Sequence, residues 1–235
     1  MLFDAAEFAD FYESPMGQVA RRHILRRIRL IWPSLANRRV LGYGFAVPYL
    51  RSFIGEAERV IAVMPAQMGV VAWPAVRQLA TLVDEDALPF PDAFFDCLLV
   101  VHGLEGTDAL KRHLRELWRV LAPEGKLLLV APNRLSLWAQ VERSPFAHGR
   151  PYTKSQLDRL LRDAMFEPLK WDISLLQPPL KSRRLTGTGV SWDRVGRVLW
   201  PALAGVHIVE AQKTVFGAIP IDRARKQEAN NYAPA

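Results

Sequence analysis

The sequence predicts an α/β protein built on a doubly wound, mostly parallel sheet. Three observations carry that expectation. Short apolar runs recur along the chain, they are continuous rather than alternating, and segments of helical periodicity separate them. A strand covered on both faces by helices needs apolar side chains at every position, whereas a strand with one wet face needs them at every second position.

The strands are expected at RVLGY (39–43), RVIAVM (59–64), ATLV (80–83), FDCLLVV (95–101) and KLLLVA (126–131), with further strands at LKWDISL (169–175) and HIVEAQKTV (207–215). The last of these alternates. A helix over 19–32 follows from Ala20, Ile24, Ile28 and Ile31, which form one stripe, with Arg22, Arg26 and Arg29 opposite. Pro48 suits the first turn of a helix that turns Leu50, Phe53 and Ile54 to the sheet. Asp108 is a candidate cap for a helix over 109–121, with Leu110, Leu114, Leu117 and Leu121 inward and Pro123 as its stop. Thr153 caps a further helix over 153–164, with Leu157, Leu160 and Leu161 apolar. Residues 1–38 read as a helical extension, 39–220 as the main domain with an insertion at 176–205 that carries Trp192 and Trp200, and 221–235 as a polar tail.

Composition bounds the function. The chain has 235 residues, 50% of them hydrophobic, and one cysteine, Cys97, which excludes a disulfide framework and a cysteine-based metal cluster within the chain. Cys97 falls inside an apolar run and reads as a core residue. The other histidines, His23, His113, His148 and His207, show no metal-ligand spacing, so no metal is expected. The first fifteen residues hold acids where a secretory signal would hold bases, and no stretch approaches the ~20 apolar residues of a membrane span. A cytoplasmic protein is the expectation. The net charge is +7, and it is concentrated: between Glu13 and Glu56 there is no acid, but there are Arg21, Arg22, Arg26, Arg27, Arg29, Arg38, Arg39 and Arg51. This stretch reads either as a solvated basic face or as a platform for RNA or an acidic protein.

In sheets of this kind ligands bind beyond the carboxyl ends of the strands. The first strand runs into GYGFAVP (42–48), where glycine permits a sharp turn and a close backbone approach. The loop Gly42-Tyr43-Gly44-Phe45-Ala46-Val47 lacks the last glycine of a dinucleotide fingerprint, so a nicotinamide-dependent oxidoreductase fits poorly. His102 follows the fourth strand and reads either as a general base or as a residue packing that turn. Glu105 and Glu116 read as helix-start and helix-face residues.

The run DEDALPFPDAFFD (84–96), with HGLE (102–105), LRELWRVLAPEGKLLLVAPN (114–133) and PYTKSQLDRLL (151–161), resembles the class I S-adenosylmethionine-dependent methyltransferases, and among them the type 11 group. The resemblance spans roughly residues 39–215. It implies a Rossmann-like, seven-stranded sheet with an antiparallel last strand, a place that HIVEAQKTV suits. It implies S-adenosylmethionine as cofactor and an unidentified methyl acceptor. It implies a cofactor site of Gly42, Gly44, Ala46, Met64, Asp84, Glu85 and His102. Gly44 would lie beneath the methionine part, Asp84 would accept from the adenine amino group, and the Glu85 backbone would flank the adenine ring. Departures from the family pattern accompany it. Gly42 stands where an acid is usual, two glycines of the loop are replaced, and Met64 stands where an acid usually holds the ribose hydroxyls. Tyr43, Phe45 and Pro48 are expected to narrow the pocket. The alternative function is a methyltransferase-like binding module without catalysis, acting through its basic N-terminal surface.

Overall fold

The computed structural model describes residues 4–74, 78–107, 109–141, 143–179, 196–197 and 199–215. A seven-stranded sheet runs in the order β3-β2-β1-β4-β5-β7-β6. Its strands are β1 (Arg39–Gly44), β2 (Arg59–Pro65), β3 (Ala80–Val83), β4 (Phe95–Val101), β5 (Leu121–Pro132), β6 (Phe166–Ser174) and β7 (Val206–Lys213). β1 to β5 pair in parallel, and β7 is antiparallel to both β5 and β6. The helices are α1 (Ala5–Glu13), α2 (Pro15–Ile31), α3 (Val47–Leu50), α4 (Leu110–Val120) and α5 (Lys154–Asp163). This is the seven-stranded class I arrangement that the sequence predicts. Of the strands predicted with continuous apolar runs, β1, β2, β4 and β5 are largely buried on both faces, whereas β3, at the sheet edge, exposes Thr81 and Leu82.

The sheet divides the core in two. On one face α2 places Ala20, Ile24 and Ile28 against Val40, Leu99 and Ile208. On the other, Leu114 and Leu117 of α4 and Leu157 and Leu161 of α5 cover Leu98, Leu127 and Val209. Tyr43 belongs to this second face, where its ring lies 4.2 Å from that of His113, so it does not narrow the cofactor side. Phe45, two residues on, belongs to the first.

Several elements differ from the sequence expectation. The helix at Pro48 is only α3 followed by a 3-10 turn over Arg51–Phe53, and Ile54 is 41% exposed rather than inward. α4 ends at Val120, three residues short of Pro123, because Leu121 already pairs with Phe95 as part of β5. Asp108 lies outside the described residues, and the N-cap position of α4 is Ala109 with no side-chain cap. β7 has apolar and polar residues buried alike, because β5 and β6 flank it and helices cover both faces. The predicted tail 221–235, Trp192 and most of the 176–205 segment lie outside the described residues. Trp200 is described, and its indole N–H donates to the Leu176 carbonyl at 3.4 Å.

The basic face of α2 is also smaller than its sequence suggests. Arg22 and Arg26 are exposed. Arg29 instead donates to both carboxylate oxygens of Glu56 at 3.0 Å and to the Ser52 carbonyl at 3.0 Å, with its guanidinium 4.4 Å above the Phe53 ring. That fork ties α2 to the segment after α3, and it holds the Glu56 carboxyl below the usual carboxylate range. Arg29→Ala is therefore expected to cost about 1–2 kcal/mol in urea unfolding, discounted for partial exposure, whereas Arg22→Ala is expected to be neutral.

Among the described residues no helix is long and apolar enough to cross a membrane.

Candidate functional site

The carboxyl ends of β1 to β4 meet at one place. β1 ends at Gly44, whose φ is +75°, and a Cβ there would lie 2.4 Å from the Val101 carbonyl oxygen and 2.8 Å from the Gly103 Cα. The loop after β1 is thus pressed against the loop after β4, which only glycine allows. Gly42 is crowded in the same way, since a Cβ would stand 2.3 Å from Leu50 Cδ1 of a fully buried leucine. A carboxylate at this position has no room while Leu50 fills it.

The face above this junction is covered by α1. Asp4 and Glu7 form a reciprocal capping box that starts the helix, and the Ala5 N–H donates to the Met68 carbonyl at 2.7 Å, tying α1 to the segment after β2. Phe8 stacks on Phe45 with ring centroids 5.0 Å apart, and Tyr12 stacks on the same ring at 5.9 Å. The Tyr49 hydroxyl donates to the Tyr12 hydroxyl at 2.9 Å, and the Tyr12 hydroxyl is paired with His102 Nε2, also at 2.9 Å. The Phe146 ring lies 5.1 Å from the imidazole on another side.

His102 itself has φ +51°, a left-handed conformation that costs a side-chain-bearing residue about 1–3 kcal/mol and concentrates at functional sites. Burial pushes its pKa down to about 3, so it is neutral near pH 7 and a weak base. Burial raises the Tyr12 and Tyr49 hydroxyls well above the usual phenol value. The chain of hydroxyls and imidazole is therefore uncharged.

A small cavity of about 50 Å³ remains between the segments after β2 and β4. Its walls include Phe8, Met68, Glu85, His102, Glu105 and Thr107. Of the residues expected to hold the cofactor, Glu85 and His102 reach this cavity. Gly42, Ala46 and Met64 are buried in packing. Asp84 is exposed, and its Oδ1 accepts from the Asp86 N–H at 3.0 Å in a local turn. Glu85 accepts from Gln67 at 3.4 Å through its side chain and from His113 Nδ1 at 3.1 Å through its carbonyl.

Glu105 is the residue that sequence reasoning misplaced. It does not start a helix. It sits in the loop after β4, 7% exposed, with Oε2 accepting from the Leu104 N–H at 3.1 Å. Burial pushes its carboxyl up to about 7. Its Oε1 and the Oγ1 of Thr107 are buried without a partner. The α1 aromatics were also missed, although DAAE (4–7) before Phe8, Phe11 and Tyr12 is a legible capping box followed by apolar residues at i, i+3 and i+4.

Residues 41–129 match a family described as a methyltransferase domain, of type 11. The matched segment runs from β1 into β5 and covers less than half of the chain. The curated relatives include a ubiquinone/menaquinone biosynthesis C-methyltransferase, UbiE, of Pectobacterium carotovorum, 33% identical over 106 residues, which are 40% of this chain and 42% of the relative. The UbiE of Yersinia pestis is 47% identical over 45 residues, 19% of this chain and 18% of the relative. The chain thus spans less than half the length of these relatives. Solved structures share the fold at low identity. An S-adenosylmethionine-dependent methyltransferase of Thermotoga maritima has a TM-score of 0.60 at 20% identity, covering 89% of this chain and 96% of its own. The [4+2]-cyclase SpnF has a TM-score of 0.58 at 21% identity, covering 85% and 82%. The same architecture therefore serves more than one chemistry, and the site decides.

The methyltransferase family uses S-adenosylmethionine. With α1 seated, the residues of this domain do not fit that group. Neither Gly42 nor Met64 offers a carboxylate, and Phe8 and Tyr12 stack on Phe45 in the loop that follows Gly44, all three rings buried. The remaining cavity, about 50 Å³, is far below the roughly 300–1,000 Å³ typical of ligand pockets.

Proposed function

We propose that this protein is an S-adenosylmethionine-dependent methyltransferase whose cofactor crevice opens when α1 withdraws. The observation that carries this reading is the pair of buried, unpaired oxygens, Glu105 Oε1 and Thr107 Oγ1, beside the cavity at the carboxyl ends of the strands. Native structures rarely leave such groups without a partner, and two of them side by side at the wall of one cavity are accounted for by a bound group.

Withdrawal of α1 is energetically within reach. The helix has nine residues, and Ser14 alone separates it from α2, which begins at Pro15. A ligand that binds only the open state shifts such an equilibrium by as much as its differential affinity.

The full-length double variant Phe8→Ala/Tyr12→Ala tests the reading. It is expected to bind S-adenosylmethionine or its demethylated product at least tenfold more tightly than the wild type in titration calorimetry. If neither protein gives heat or a thermal shift at millimolar ligand, the second reading holds: a methyltransferase-like module that acts without the cofactor. Met64 and Gly42 favour that second reading, since each removes a charge-assisted bond of about 1.5–3 kcal/mol. Its surface would be the exposed Arg21, Arg22 and Arg26 of α2, and its partner RNA or an acidic protein. Replacing these three by Glu is expected to abolish any salt-sensitive retention on a polyanion. Retention that survives the replacement assigns the arginines to a solvated face.

A further inference from the structure

We propose that the cavity between the segments after β2 and β4 binds a small protonated amine, with the Glu105 carboxylate as its counter-ion and Thr107 as a second hydrogen-bond partner. This binding goes beyond the methyltransferase reading and stands independently of methyl transfer, since the cavity is walled by Phe8 and exists with α1 seated.

The argument begins with what is unpaired. An ionised carboxylate only accepts hydrogen bonds, so the missing partner of Glu105 Oε1 is a donor. Thr107 Oγ1, also buried and without a partner, accepts or donates with equal ease. Both residues line the same cavity. Charge then selects among donors. In a chain of net charge +7, the cavity walls hold two acids, Glu85 and Glu105, two histidines, His102 and His148, and neither lysine nor arginine. His102 is neutral there. A cation is favoured by both acids, an anion is opposed by both, and a neutral hydroxyl gains nothing from the second. The apolar walls, Phe8 and Met68, suit a short hydrocarbon body.

The site is also built to be rigid. The Glu105 carbonyl accepts from the Arg150 N–H at 3.0 Å, and the Leu104 carbonyl accepts from the Tyr152 hydroxyl at 3.2 Å. Gly149, at φ +75°, lies so close that a Cβ would stand 2.5 Å from the Glu105 carbonyl oxygen. A loop pinned in this way fixes the direction of its carboxylate before any ligand arrives, which lowers the entropy that binding must overcome. An ammonium ion next to Glu105 removes the penalty of burying an unpaired acid, and Glu105 then binds it in the ionised form.

The groups facing Glu105 are Tyr12 from α1, Glu85 after β3, His102 after β4, and His148, Arg150 and Tyr152 from the 148–152 segment. Because several of them titrate, the pH dependence is assigned by substitution rather than by value.

Propylamine, 1-propanol and hydroquinone are the probes, followed by backbone amide NMR of the full-length protein. Propylamine is expected to shift Leu104, Glu105 and Thr107 saturably, and the two neutral probes are not. Its affinity is expected to rise at least tenfold from pH 5.5 to pH 8, as Glu105 gives up its proton while the amine keeps its own. Glu105→Gln, which keeps the acceptor for the Leu104 N–H, is expected to lose at least tenfold in affinity and all of that pH dependence with its spectrum still dispersed. Thr107→Val is expected to lose a few-fold. Equal binding of propanol, or undiminished amine binding by Glu105→Gln, overturns the proposal. Amine binding without cofactor binding in any variant supports the site and removes the methyltransferase reading. Cofactor binding without amine binding does the reverse.

Discussion

Gly44→Ala is expected to lower stability by about 3–4 kcal/mol. Two terms combine. A side chain at φ +75° is strained by about 1 kcal/mol, and the new Cβ would overlap the Val101 carbonyl and the Gly103 backbone at 2.4–2.9 Å. Backbone cannot rotate away as a side-chain tip can, so the loops after β1 and β4 must separate, at a cost in the upper range of overpacking. Gly55→Ala is the control. It has φ +92° and nothing within 4 Å of its Cβ position, so it carries only the conformational term, about 1 kcal/mol. Urea unfolding of the two variants at constant slope isolates the packing term. Equal losses would mean that the β1 and β4 loops are not in contact.

Glu105→Gln is expected to change how stability depends on pH. Burial raises the Glu105 carboxyl to about 7, above the ordinary value of 4.5, so the folded state holds a proton that the unfolded state releases. Stability contributed by the protonated acid is complete below pH 4.5 and is lost as pH rises through 7. A shift of this size corresponds to about 3 kcal/mol, or roughly 6–12 °C in Tm for a chain of this length. The variant has nothing to ionise. Its Tm relative to the wild type is therefore expected to rise by that amount between pH 4.5 and pH 8, and taking the difference between the two pH values cancels any fixed packing cost of the glutamine. A relative Tm that stays flat over this window would place Glu105 in contact with water. The same substitution that weakens amine binding thus stabilises the empty protein at high pH, a trade expected where a functional acid is held in an unfavourable environment.

The frame of the fold was legible because it rests on local pattern. FDCLLVV and ATLV read as strands at their observed bounds, and Thr153 announced α5, since caps and continuous apolar runs act over a few residues. The site was less legible because its determinants are non-local. Nothing near Glu105 in sequence says that Arg150 and Gly149 will close over it. Nothing near Phe8 says that it will stack on Phe45, thirty-seven residues on. Arg29 shows the same limit, since its helical position puts it on the polar face while Glu56 draws it into the structure. The resemblance pointed to the carboxyl end of the sheet, and Glu85 and His102 lie at the cavity there. Gly42 and Met64, the departures from the family pattern, lie in packing. They are where the choice between an enzyme and a bare scaffold is made.

That choice turns on whether α1 is a gate, and hydrogen exchange reads it directly. With S-adenosylmethionine added to the full-length protein, the amides of residues 5–13 are expected to lose protection while those of residues 44–46 and 85 gain it. Unchanged exchange in both segments at millimolar cofactor would contradict the account and leave α1 a fixed part of the core.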